Sequence, residues 1–144
     1  MLKSLQEVIT NIKAGKRLTL AADESLLRQL PKGEWIGGTI PYFMDAKGGT
    51  ITREKLFVQD LTEVTSGAAI RRYGASELER IPVDAADNGF SILIIPATSA
   101  AHIAYAQNAP NYPDLLMKPI LGWISGVHLE DLGKVSPKVF DGLT

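Results

Sequence analysis

At 144 residues the chain suits one domain, and its 45% apolar fraction is enough for one ordinary core and too high for a disordered segment. Fifteen basic against sixteen acidic side chains leave a formal charge of -1, so the long-range field that draws nucleic acid or an anionic membrane is missing. With no cysteine, disulfides, zinc thiolate sites, iron–sulfur clusters and thiol nucleophiles are excluded, and only carboxylates and two histidines remain as metal ligands.

Leu2, Leu5, Val8, Ile9 and Ile12 recur at helical spacing, and Gly15 stands where a helix C-terminus wants positive φ; a first helix is predicted. A secretion signal would instead place a basic region before an apolar run. No apolar stretch reaches the roughly 20 residues of a membrane span, so the expected location is the cytoplasm. Residues 17–22 read as a buried strand, after which Asp23 caps a helix containing Leu26, Leu27 and Leu30 and stopped by Pro31. Trp35-Ile36-Gly37-Gly38-Thr39-Ile40 is the next strand, ended by Pro41, which cannot donate to a ladder. Its paired glycines weaken a strand, so they mark a bulge or a close approach to the backbone.

Lys47-Gly48-Gly49-Thr50 is a turn signal, and residues 56–61 return as a strand expected to pair antiparallel with the Trp35 strand. Residues 64–73 read as a further strand. Ser76 then caps a helix with Glu77 and Glu79 in its first turn. Phe90 to Ile95 is a continuous apolar run of the kind buried on both faces, which predicts the centre of the sheet. Ser99 or Thr98 caps an alanine-rich helix from Ala100 to Ala106. Beyond Asn108 the chain is proline-rich, with a short helix at 114–117, a strand at 119–125, a turn at Gly126 and a capped segment through Leu132. The expected architecture is α/β: one domain with a mixed sheet of about five or six strands and helices packed on it. Residues 135–144 still read like the beginning of structure, so a longer protein is expected, with this chain as its N-terminal part and a C-terminal domain to follow.

The spacings of phosphate loops, dinucleotide folds, zinc proteases, nucleophile elbows and calcium loops are all missing, and no cofactor is identified. Three segments carry candidate chemistry. In Gly37-Gly38-Thr39-Ile40-Pro41-Tyr42, backbone N–H groups can meet an anionic group while an aromatic ring covers it, although a bulged strand packed under a helix uses the same residues. Pro96 to His102 places a helix N-terminus after a strand, where α/β sheets receive ligands; Ser99 and His102 can be drawn as nucleophile and base, but a plain helix cap has more weight. His128 with Glu130 and Asp131 supplies two or three polar groups but no complete metal set, and the pairs Asp23-Glu24 and Glu130-Asp131 read as caps or solvated surface.

The order of a helix ending Leu30-Pro31, a strand running into Gly37-Gly38-Thr39, a turn at Gly48-Gly49 and a strand at 56–61 resembles the N-terminal part of FIST sensory domains. Trp35 to Met44 together with Gly122 to Leu132 resembles, more closely, a group of uncharacterised bacterial proteins. The resemblance implies recognition of a small ligand and passage of a signal, with Gly37, Gly38 and Thr39 as ligand contacts. FIST proteins are longer, and Pro41-Tyr42-Phe43-Met44 stands here in place of small residues.

The reading that follows is a small-ligand-binding or sensory domain for an anionic or zwitterionic metabolite, held by Gly37, Gly38, Thr39, Tyr42, Ser99 and His102. Two other classes stay open: an enzyme using Ser99 with His102, or His128, and an assembly module, homo-oligomeric or awaiting another domain, in which Trp35, Tyr42, Phe43 and Trp123 form an exposed apolar face.

Overall fold

The computed structural model describes residues 1–143. The chain divides into two compact units, Met1–Ile70 with Ser125–Thr144, and Arg71–Ile124. The architecture is α/β, with a mixed five-stranded sheet, two further two-stranded sheets and four α-helices.

In the first unit, β1 (Leu2–Lys3) leads directly into α1 (Leu5–Lys13). Ser4 and Glu7 form a reciprocal capping box: the Ser4 side chain accepts from the Glu7 N–H, and the Glu7 carboxylate accepts from the Ser4 N–H at 2.8 Å. Val8 and Ile12 are the buried stripe of α1, and Gly15 leaves the helix at φ 77°. β2 (Leu18–Ala22) is almost wholly buried, as a strand with a neighbour on each side should be. Asp23 caps α2 (Glu24–Leu27) by accepting from the Ser25 N–H. β3 (Trp35–Thr39) follows, then a hairpin of β4 (Tyr42–Asp45) with β5 (Gly48–Ile51), and then β6 (Leu56–Asp60).

The strand order of the main sheet is β1-β6-β2-β3-β9, where β9 is Val139–Asp141. β2 and β3 run parallel, Leu18 opposite Trp35 through Ala22 opposite Thr39, whereas β6 pairs antiparallel with β2. The expected pairing of the Trp35 strand with residues 56–61 is therefore not made, because β2 lies between them. Residues 64–73 form no strand either. Arg17 holds the beginning of that segment as a loop, donating from Nη2 to the carbonyls of Thr62 and Thr65 at 2.9 and 2.6 Å and from Nε to Thr65 Oγ1 at 2.8 Å. The edge of β3 is taken by β9, with Gly37 opposite Phe140.

The core of this unit gathers Val8, Ile12, Leu18, Leu20, Ala22, Leu27, Trp35, Leu56 and Val58. Gly37 belongs to its packing: a Cβ there would stand 3.0 Å from the Leu20 carbonyl oxygen and 3.2 Å from Leu27 Cδ2, so the missing side chain lets α2 lie close on β3. Trp35 is 3% exposed and its indole N–H donates to the Pro31 carbonyl at 2.8 Å. It therefore cannot join an exposed apolar face, and the assembly reading loses one of its four aromatics.

In the second unit, α3 (Arg80–Asp84) begins later than Ser76 because Glu79, without a side-chain cap bond, is its N-cap. β7 (Ser91–Pro96), α4 (Ala100–Asn108) and β8 (Ile120–Ser125) follow, with 3-10 turns at Ala109–Asn111 and Leu115–Met117. The apolar run of β7 is not the centre of the main sheet. Among the described residues it pairs only with β8, and the central position belongs to β2, whose neighbours take both of its edges. Gly122 allows that pairing, since a Cβ there would collide with the Leu93 backbone.

Candidate functional site

A cleft of about 370 Å³ opens in the first unit, at the carboxyl ends of the parallel strands β2 and β3. Asp23, Glu24, Ser25 and Arg28 reach it from the end of β2 and from α2, and Thr39, Ile40 and Pro41 from the end of β3. Arg53 comes from the connection between β5 and β6, and a returning segment contributes His128, Asp131 and Ser136. Open α/β sheets receive ligands at the carboxyl ends of parallel strands, because there the chain leaves the sheet in loops that carry side chains over its rim.

Ion pairs organise the lining. Arg53 Nη2 donates to Asp131 Oδ2 at 2.8 Å and its Nη1 lies 3.6 Å from Asp23 Oδ1, so one guanidinium bridges carboxylates from two segments remote in sequence. The hydrogen bond to Asp131 is the main reason the Arg53 pKa is raised, and the fields of Asp23 and Glu130 add to it. Glu24 is held from two sides, by Arg28 Nε at 2.7 Å and Lys138 Nζ at 2.8 Å. The Lys138 hydrogen bond is the first cause of its lowered pKa. His128 caps a 3-10 turn, Leu129–Asp131, with Nδ1 accepting the Glu130 N–H at 3.1 Å. The Tyr42 ring stacks on the His128 ring at 5.5 Å, and the Leu129 N–H donates to the Tyr42 hydroxyl at 3.0 Å.

The residues expected to bind a ligand are distributed differently. Gly37 and Gly38 are buried inside β3. Thr39 lines the cleft, but Lys138 engages its polar groups: the Lys138 N–H donates to Oγ1 at 2.9 Å, and the Thr39 N–H donates to the Lys138 carbonyl at 3.0 Å. Tyr42 acts on the cleft through His128. Ser99 and His102 belong to the second unit, where both serve the start of α4. Ser99 Oγ accepts the His102 N–H at 3.1 Å and donates to the Pro96 carbonyl at 2.7 Å, while His102 Nδ1 accepts the Thr98 N–H at 3.0 Å.

Of the lining residues, sequence reasoning takes Asp23 and Glu24 as caps or surface, weighs Asp131 only beside His128 as a metal ligand, and does not single out Arg28, Arg53 or Ser136. The usable signal was the rule of strand carboxyl ends, applied to the strand at residues 90–95 because that apolar run reads as the centre of the sheet. Among the described residues no group of three or more histidines and acids is placed to hold a metal, and no helix is long and apolar enough to cross a membrane.

Fold and cleft together define an α/β protein with a charged pocket at the end of a parallel strand pair. Residues 3–144 match a family of unknown function, DUF6976, and the chain belongs to that family. No curated protein and no solved structure matches it.

Proposed function

We propose that this chain is a small-ligand-binding module, sensory in role, that takes a small anionic or zwitterionic metabolite in the cleft at the ends of β2 and β3. The supporting observation is the cleft itself: about 370 Å³, within the range of small-molecule pockets, and lined by side chains of both charge signs. Its polar groups come from several segments of the chain, which lets one bound molecule tie those segments together and so alter the surface around them. The sensory part of the proposal is supported by the resemblance in element order to FIST domains.

The test is a thermal-shift screen of small carboxylates, amino acids and nucleotides, followed by calorimetry on wild type and Ser136→Trp. Ser136 is exposed and lines the cleft, so an indole there fills space without disturbing the core. A hit weakened by at least about tenfold in the variant supports the cleft; a hit that binds both proteins equally moves the site elsewhere.

A further inference from the structure

The charges around the cleft divide into two groups of opposite balance. Arg53 faces two carboxylates, Asp23 and Asp131, at 3.6 and 2.8 Å, with Glu130 adding to the field, so this group keeps an excess of negative charge. Within it, Asp23 Oδ2 is occupied by the Ser25 N–H and hydroxyl at 3.1 and 2.7 Å, whereas Asp131 receives only Arg53, on Oδ2, among the described residues. Glu24 faces two cations, Arg28 and Lys138, and each of its oxygens already accepts one of them. With Lys138, which reaches Glu24 from outside the cleft lining, that group keeps an excess of positive charge.

From this division, and resting on the reading of the cleft as a ligand site, we infer that the ligand is a dipolar ion with its ammonium and its carboxylate at opposite ends. The ammonium goes to Asp131 and Asp23, and the carboxylate to Arg28 Nη1, since Arg28 Nε and Nη2 both already meet Glu24 Oε1. A simple anion satisfies one end and leaves the other to water, and a simple cation does the reverse. A dipolar ion meets both ends and leaves the net charge of the lining unchanged, so selectivity comes from matching the two excesses simultaneously.

The experiment is calorimetry on the intact chain with ω-amino acids from glycine to 6-aminohexanoate, beside the alkanoate and the alkylamine of matching length. The expected result is one ω-amino acid, longer than glycine, that binds at least about tenfold more tightly than either matched single-charge compound. Asp131→Asn should remove that preference over the alkanoate, and Arg28→Gln the preference over the alkylamine. An alkanoate or alkylamine that equals the best dipolar ion overturns the inference, as does dipolar binding that neither substitution weakens. No binding across the series overturns it too. In each case the broader screen with Ser136→Trp decides separately whether the cleft is a site at all.

Discussion

The two units of the chain treat their apolar side chains in opposite ways. In Met1–Ile70 with Ser125–Thr144, strands from distant parts of the sequence meet in one sheet, and nine apolar residues close into a core between that sheet and its helices. In Arg71–Ile124 the buried apolar set is short, Leu78, Ile81, Pro82 and Ile95, and α4 buries no residue. Ile103 and Leu116 remain 53% and 87% exposed. The difference shows what sheet size does: a five-stranded sheet offers a face wide enough to cover, whereas a two-stranded sheet beside a nine-residue helix does not. The charged cleft stands at the end of the better packed unit, where a firm frame can hold side chains at set distances.

This contrast can be broken by substitution. The largest effect is expected from Leu56→Ala in the first unit, about 3 kcal/mol in urea unfolding because Leu56 is fully buried, against less than about 0.5 for Ile103→Ala on α4. Equal losses would show that α4 is packed as tightly as the core. Gly122→Ala comes next, at about 2 kcal/mol, since the new methyl meets the Leu93 backbone. Its signature is faster amide exchange in β7 and β8 than in β2.

Ser99→Ala should cost about 1 kcal/mol by uncapping α4, seen as accelerated exchange of the His102 amide that the serine accepts. The smallest effect is acid weakening of the first unit. The Thr62 hydroxyl, with Lys16 and the Thr62 N–H, holds the Asp60 carboxyl down at about 2, and Glu24 is lowered by Lys138. Both folded values lie below the unfolded ones, so their contribution is complete above the ordinary carboxylate range and is lost as pH falls through the folded values. Because Asp60 is more than a third exposed, its share is about 0.5 kcal/mol. Unfolding midpoints at pH 7 and pH 3 should differ less in Asp60→Asn than in wild type.

Much of the local structure was legible from residue order. The stop of the first helix at Gly15, the strand before Asp23, the Asp23 and Ser99 caps and the strand ending in Ser125 all stand where spacing put them, although the helix begins at Leu5 and Leu2, counted in its apolar stripe, starts β1 instead. Each depends on interactions within one or two turns of chain. The candidate site was less legible. Gly37 looked like a ligand contact because a glycine in a strand leaves space, but Leu27 fills that space. Asp131 looked like solvated surface because neighbouring carboxylates point in different directions along a regular element, and its partner Arg53 lies 78 residues away.

The sequence by itself determined the α/β class, the Asp23 and Ser99 caps and the absence of any cysteine chemistry, since composition and short-range hydrogen bonding suffice for these. Only the tertiary structure decided that β2 separates β3 from β6, that β9 closes the sheet, and that Arg53 meets Asp23 and Asp131. An alternating or apolar strand announces that it will be paired, but not with which strand. That choice rests on contacts between residues far apart in the chain, and the position of the cleft follows from it.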